Sequence, residues 1–230
     1  MTPTPPRRPI LARLRNCYAM LSQIRSTCEI ATRNSTTVKE DLCEYAAGNL
    51  ALAWADSHNL NSSCTILVTA LLDVVDVAFE EFSTFSTKEK WLVIRHFYEF
   101  FMTFESDYRS AKYFPENKNE HIMEERANNR IRISKLSEDD FLAGIGFELW
   151  SIDNPDIPEH IFRIFERYRR ELMNELAAET NDYATRIWNI FAATASVRWS
   201  NNRFRETMQH FDLLGLFGEA NMSLNELART

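Results

Sequence analysis

One stretch of the sequence, residues 91–104, constrains the fold of this chain more than any other. It reads WLVIRHFYEFFMTF and places apolar side chains at nearly every position of a predicted helix. A helix that is apolar on all sides is stable only where other parts of the protein surround it. The stretch therefore predicts a central helix, in the middle layer of a stack of helices.

The composition favours an all-helical chain with a large core. The 230 residues suffice for one large domain or two small ones, and 45% of them are hydrophobic, including 16 Phe and 5 Trp. The 5 glycines are too few for the many tight turns of an all-β fold. The longest apolar region, residues 64–79, is interrupted by Asp73 and Asp76, so no membrane span is predicted.

Periodicity and capping signals divide the chain into consecutive helices. Apolar side chains from Leu14 to Cys28 recur at three- and four-residue steps, which predicts a helix over residues 10–32. Capping boxes begin at Thr37, Ser86 and Ser223, and each predicts a helix start. The further helices are expected over residues 37–55, 63–82, 137–150, 157–178 and 181–217, the last with a break near 200–202. We expect residues 1–9 to be a disordered Pro-rich tail, 10–230 to form one domain, and "RIRIS" at 130–134 to allow a short strand.

The sequence lacks the usual signatures of an enzyme. No GxxxxGK[ST], GxGxxG, GxSxG or HExxH motif is present, and the glycines of Gly144-Ile-Gly146 lie within a predicted helix. We therefore predict no catalytic activity and no cofactor. One alternative is an all-α metalloenzyme, because Asp73, Asp76 and Glu80 share one helical face, but Asp139-Asp140 lacks the third acid of a DDxxD cluster.

Charge and cysteine content limit the partners and the compartment. The net charge is −7, and phosphate binding needs clustered Lys and Arg, so direct binding to nucleic acid is not expected. The 4 cysteines never form CxxC, which argues against a sequence-local zinc module. In a chain of this size they are interpreted as reduced thiols of an intracellular protein.

Residues 82–115 resemble the signature region of nuclear receptor ligand-binding domains, a pattern close to F-x-x-L-x-x-x-D-Q-x-x-L-L-K. Phe82 and Phe85 occupy its two early apolar positions, Glu89-Lys90 replace Asp-Gln, and Val93-Ile94-Arg95 stand where Leu-Leu-Lys is usual. "DYRSAKYFP", "ATRIWNIFA" and "HFDLLGLFGE" extend the likeness, which is greatest to the divergent receptors of nematodes. It covers residues 10–228 in pattern rather than in identity.

The resemblance implies a three-layer antiparallel α-helical sandwich with an apolar cavity for a small lipophilic ligand. The implied cavity residues are Leu67, Leu71, Val74, Phe97, Phe101, Phe104, Met208 and Phe211. Arg109 matches the arginine that pairs with a ligand carboxylate in retinoid X-type receptors, while a salt bridge with Glu105 or Asp107 is the structural alternative. In such receptors the ligand stabilises the C-terminal helix and so controls transcription in the nucleus.

The resemblance also implies a groove for the helix of a coactivator or corepressor. Arg95, Leu224, Glu226 and Leu227 are its expected residues, and the pairing of opposite charges with opposite helix ends orients the bound helix. The family's groove lysine falls near Val77 in this sequence, a departure from ordinary coactivator binding. Capping by Ser223 is an equal explanation for Glu226.

Members of this family dimerise through the last long helix, so residues 198–217 are the expected interface for a homo- or heterodimer. Arg198, Trp199, Arg203, Phe204 and Arg205 give this segment the basic and aromatic composition of many interfaces. The family's zinc-containing DNA-binding module is not expected within these residues. A ligand-free α-helical protein-interaction module is the alternative interpretation of the whole chain.

Overall fold

The computed structural model describes residues 9–32, 57–113, 133, 135–151 and 157–213. These residues form seven helices and contain no strand: α1 (Ile10–Thr32), α2 (Ser57–Ala78), α3 (Glu80–Ser83), α4 (Thr87–Tyr113), α5 (Glu138–Leu149), α6 (Glu159–Glu179) and α7 (Tyr183–Leu213). The predictions for residues 1–8, for the helices over 37–55 and from 223, and for the strand at 130–134 lie wholly or largely outside the described residues.

Helices α4 and α5 lie between two outer groups of helices. On one side, α1 packs along α2 and contacts α5, while α2 contacts α4. On the other side, α7 contacts both α4 and α5. Helix α6 contacts α1 and α5. The predicted fold class, an all-α helical sandwich, is confirmed.

The start of α1 is fixed by a side chain from a distant helix. Glu175 of α6 accepts hydrogen bonds from the backbone N–H groups of Ile10 (2.6 Å) and Leu11 (3.0 Å). These are among the N–H groups that a helix cannot satisfy internally at its start, and a carboxylate there also suits the helix dipole. The contact holds the N-terminus of α1 against α6.

Two predicted boundaries are wrong. The predicted loop at residues 57–61 is helical, since α2 begins at Ser57. The helix predicted to continue to 82 is interrupted at Phe79, whose backbone is extended. The ring centroid of Phe79 lies 5.2 Å from those of Trp150 and Tyr168. Burial of this ring in an aromatic cluster outweighs the local preference for helix.

The expected break near residues 200–202 is also absent, because α7 runs continuously through Asn201. The turns of α7 on either side of Asn201 contact the middle-layer helices. Arg198 binds Glu148 of α5, and Arg205 binds Glu99 of α4. The Asn201 side chain donates to the Glu99 backbone carbonyl at 3.4 Å. These contacts support one straight helix over both middle-layer helices.

Helix α5 is buried around its whole circumference. Every residue from Phe141 to Phe147 is buried. Gly144 and Gly146 make this possible, because a Cβ on Gly144 would lie 3.0 Å from the Phe104 ring, and one on Gly146 would lie 2.9 Å from Leu14. The two glycines thus permit α4 and α1 to approach the α5 backbone closely.

The first turn of α5 ties three other helices together. Ser137 and Asp140 form a reciprocal capping box at the helix start predicted at residue 137. Each acid of the turn also pairs with a cation from another helix: Glu138 with Lys112 of α4, Asp139 with Arg15 of α1, and Asp140 with Arg186 of α7. This turn therefore anchors the middle layer to both outer layers.

Helix α4 is central over only one face. Its buried positions recur at three- and four-residue steps: Val93, Ile94, Phe97, Phe100, Phe101, Phe104, Glu105, Asp107 and Tyr108. By contrast, Trp91 is 45% exposed and Arg95 is exposed. The prediction that protein surrounds residues 91–104 on all sides is therefore wrong for the face carrying Trp91 and Arg95.

Candidate ligand cavity and partner surface

A small apolar cavity lies where α1, α2, α4 and α5 meet. Its volume is about 20 Å³, which is room for about one water molecule, whereas pockets for drug-sized ligands measure about 300–1,000 Å³. A water would need polar partners that an apolar wall does not supply. The lining residues are Leu14, Cys17, Tyr18, Leu21, Leu71, Val75, Phe79, Phe97, Phe101, Leu142, Ile145 and Leu149.

Three of the predicted cavity residues line this space, namely Leu71, Phe97 and Phe101. Three others are buried in the core outside the lining: Leu67, Val74 and Phe104. The phenyl ring of Phe104 instead fills the space next to Gly144, with its centroid 5.0 Å from that of Phe141. The side chains of Met208 and Phe211, on α7, lie outside the described residues.

Much of the cavity wall comes from α1 and α5, which were not predicted to contribute. The periodic stripe of α1, with Leu14, Cys17 and Leu21, was a usable signal, since its apolar face had to pack on something. The contribution of Leu142 and Ile145 carried no such signal, because α5 is buried on every side and has no single apolar face.

Cys17, the thiol in the cavity wall, is unreactive at neutral pH. Burial raises the pKa of Cys17 to about 12, and its Sγ lies 3.6 Å from the Val74 carbonyl oxygen. A thiol with this pKa is protonated at neutral pH, and only the thiolate is a good nucleophile or metal ligand. Cys17 therefore acts here as a small apolar core residue.

Arg109 lies at the end of a buried ionic network rather than at the cavity. Its Nε is 3.8 Å from Oε1 of Glu105, which confirms the salt bridge considered as the structural alternative. Glu105 is buried and also binds the Arg25 guanidinium, and it accepts a hydrogen bond from the Tyr18 hydroxyl at 3.2 Å. This network joins α1 to α4. Burial, with the neighbouring Glu105 carboxylate, raises the pKa of Tyr18 and keeps its hydroxyl a donor.

Helices α2 and α4 present exposed apolar side chains at neighbouring places. Val77 is 76% exposed on α2, and Trp91 lies half-exposed one helical turn before Arg95 on α4. The Lys90 ammonium binds the Asp76 carboxylate at 2.6 Å, which links the two helices one residue before Trp91 and one residue before Val77. We call Val77, Trp91 and Arg95 the α2–α4 surface. The expected groove residues Leu224, Glu226 and Leu227 lie outside the described residues.

The carboxylates that suggested a metalloenzyme are mostly either paired with a cation or exposed to solvent. Asp76 binds Lys90, Asp139 binds Arg15, and Asp73 and Glu80 are exposed. Within residues 9–32, 57–113, 133, 135–151 and 157–213, no three His, Cys, Asp or Glu side chains are grouped so that they could hold a metal ion. Over the same ranges, no helix has both the length and the apolar character needed to cross a bilayer.

Two of the arginines expected at a dimer interface pair with acids of the middle-layer helices. Nε of Arg198 lies 2.7 Å from Oε2 of Glu148, and its Nη2 donates to the Ser151 hydroxyl. Arg205 pairs with Glu99. Trp199, Arg203 and Phe204 are exposed, and the Arg203 guanidinium stacks on the Trp199 ring at 5.1 Å. The expectation of a dimer interface over residues 198–217 stays a prediction.

Comparison of the sequence with protein-family models and with curated proteins gives no match.

Proposed function

We propose that this chain is a regulatory domain of the nuclear-receptor ligand-binding kind, acting in the nucleus by binding an apolar helix of a partner protein. The α2–α4 surface is the observation that carries the proposal. It combines the Val77 side chain, 76% exposed, with the half-exposed Trp91 indole and with Arg95 one turn further along α4, on two helices that the Lys90–Asp76 ion pair links. This is the same region in which the family's coregulator groove is expected.

An amphipathic helix matches the chemistry of this surface. Helix-in-groove recognition uses apolar anchors at i, i+3 and i+4, each worth about 1.5–3 kcal/mol when fully buried. A cation such as Arg95 suits the C-terminal end of the bound helix, at about 0.3–1 kcal/mol. Affinity would thus come chiefly from apolar burial on Val77 and Trp91, and orientation from Arg95.

A small lipophilic ligand, carboxylic acids included, is the second candidate for regulation. The observation that favours it is an apolar cavity whose wall includes Leu71, Phe97 and Phe101. Because this cavity is only about 20 Å³, such a ligand would have to displace aromatic side chains of the core. The partner helix is therefore the first candidate.

The proposal is tested with fluorescent helical peptides carrying the LxxLL pattern, titrated by anisotropy against the full chain. We expect Trp91→Lys to raise the dissociation constant of the peptide at least tenfold, because the substitution places a charge in the apolar contact. Arg95→Glu should raise the dissociation constant less, and it should make peptide binding less dependent on salt concentration. Phe162→Lys is the matched control, since Phe162 is a half-exposed aromatic residue on α6, a helix that forms no part of this surface.

Equal losses in Trp91→Lys and Phe162→Lys would contradict the assignment of the surface, as would the absence of peptide binding at millimolar concentrations. Native mass spectrometry of the purified chain addresses the second candidate. A co-purified lipid that is absent from a Phe97→Trp variant, in which the cavity is filled, would make the ligand the regulator.

A further inference from the structure

The outer face of α2 extends the α2–α4 surface along the helix. Ile66 is 48% exposed, and it lies 11 positions before Val77, which is 76% exposed. That spacing is about three helical turns, so the two side chains share one face about 16 Å apart along the axis. Asp73, which is also exposed, lies between them on the same face, seven positions after Ile66 and four before Val77. We call Ile66, Asp73 and Val77 the α2 stripe.

The carboxylate of Asp73 lies between the two apolar side chains of the stripe. It forms no ion pair within the part of the chain that the structure describes, whereas Asp76, three positions further on, binds Lys90 at 2.6 Å. A partner that covers the stripe takes the Asp73 carboxylate out of water, and the burial of an unpaired carboxylate is strongly unfavourable. The stripe therefore favours a partner that brings a cation to Asp73.

Charge disfavours two other occupants of the stripe. In an antiparallel pair of α2 helices from two copies of the chain, aligned on the midpoint of the stripe, the two Asp73 side chains would lie within one turn, about 5 Å along the axis. In a parallel pair they would lie at the same level, and like charges brought together at an interface reduce affinity. The stretch 33–56, which joins α1 to α2, has two cations and four acids, so it offers no excess of positive charge.

We propose that the partner helix is basic, and that it continues past the α2–α4 surface along the α2 stripe. This inference rests on the proposed function, which it extends by naming the charge and the length of the partner. The apolar anchors of the partner helix contact Val77 and Trp91. A Lys or Arg about one turn further along pairs with Asp73, and a second apolar residue about two turns beyond it contacts Ile66.

The two apolar contacts strengthen the ion pair between them. An ion pair on an open surface contributes little, because water and salt screen it. When the partner covers Ile66 and Val77, the pair with Asp73 is partly shielded from solvent, so the partner's charge at this position affects affinity as well as orientation. The same carboxylate disfavours an acidic partner helix.

Anisotropy of fluorescent peptides titrated with the full chain tests the charge of the partner. A short helical peptide carries the LxxLL pattern alone. Longer peptides extend it by three turns on one side or the other, with Lys, Gln or Glu on the leucine face one turn from the pattern and Leu two turns beyond. We expect the Lys peptide to bind at least about tenfold more tightly than the Glu peptide at low salt. Asp73→Lys should reverse this order, whereas Asp182→Lys, the same change at an exposed acid outside α2, should preserve it.

The Ile66→Ser variant tests the length of the partner. It should weaken binding of the Lys peptide about fivefold or more, because the second apolar anchor loses its contact. Binding of the short peptide should stay unchanged in this variant, since only the longer helix reaches Ile66.

The outcomes separate this inference from the proposed function. If the short peptide binds and Trp91→Lys weakens it, but the Lys, Gln and Glu peptides bind equally, the inference is overturned and the proposed function stands. Absence of binding by every peptide at millimolar concentrations would overturn both. An order of affinities that Asp182→Lys also reverses would reflect only the net charge of the chain and would overturn the inference. Self-association of the chain that Ile66→Ser abolishes would do the same, because a second copy would then be the occupant of the stripe.

Discussion

Helices α4 and α5 both cross the interior of the molecule, but they differ in how much of their surface the protein covers. Helix α4 is long and rich in phenylalanine, and it buries one face while Trp91 and Arg95 remain accessible. Helix α5 is less than half as long and has two glycines, yet its residues 141–147 are all buried. The helix richer in bulky aromatic side chains therefore does not occupy the more central position.

The difference shows that a central position depends on close approach as well as on apolar side chains. Bulky rings hold neighbouring backbones apart, so the rings of α4 fill space between helices. Glycine at 144 and 146 lets Phe104, Leu14 and Leu172 reach the α5 backbone itself. Helix α5 thereby contacts α1, α4, α6 and α7 at once.

The largest expected effect separates the two faces of α4. Phe104→Ala should lower the free energy of unfolding by about 3–5 kcal/mol, because Phe104 is fully buried between Phe100, Phe141 and Gly144. Trp91→Ala removes a larger side chain but should cost about 1 kcal/mol or less, since its indole is half-exposed. Urea unfolding of both variants measures the difference. Similar losses would mean that α4 is covered on both faces.

An intermediate effect is expected at the close contacts of α5. Gly146→Val should destabilise the protein by about 2 kcal/mol, because even a Cβ there would lie 2.9–3.1 Å from Leu14, Trp150 and Leu172. Ala177→Val, at an exposed position of α6, controls for the lower helix propensity of valine and should cost about 0.5 kcal/mol.

Thermal unfolding followed by circular dichroism compares these two variants. A Gly146→Val variant no less stable than the Ala177→Val control would show that α5 has room around it, and the contrast with α4 would then be wrong.

Local patterns predicted much of the fold. The bounds of α1 follow from helical periodicity, and the capping box at Ser86 follows from residues three apart; the structure has both. These signals are local, so the sequence contains them directly. The interruption at Phe79 could not be predicted in this way, because it depends on Trp150 and Tyr168, which are about 70–90 residues away in the chain.

The candidate site was predictable only in part, for the same reason. Leu71, Phe97 and Phe101 lie at the cavity because they belong to the apolar faces of α2 and α4. The size of the cavity depends on how tightly α1 and α5 close over it, and no local pattern gives that distance. Likewise, the sequence shows that Arg109 is a cation close to Glu105. It does not show that Glu105 also binds Arg25, which comes from the distant helix α1.

The smallest expected effect concerns the starts of the two helices. The Glu89 carboxylate accepts hydrogen bonds from the Ser86 hydroxyl (2.7 Å) and the Ser86 backbone N–H (2.8 Å), which lower its pKa below the ordinary value of 4.5. A carboxyl whose pKa is lower in the folded state stabilises the protein above its unfolded pKa. This contribution is lost as the pH falls through the folded pKa. Glu89→Gln should therefore have a slightly lower Tm at pH 7 and a Tm equal to wild type near pH 3.

The pH dependence should weaken when part of its cause is removed. In a Ser86→Ala background, Glu89→Gln should shift Tm less at pH 7, because the hydroxyl that lowers the pKa of Glu89 is gone. Asp73→Asn, at an exposed acid of α2, controls for the change in net charge. A Tm difference for Glu89→Gln that persists near pH 3 would point to packing rather than charge at the start of α4.

In α5, Asp140 of the corresponding capping box also pairs with Arg186, so the start of α5 is held against another helix. The start of α4 should accordingly be the less costly of the two to disrupt.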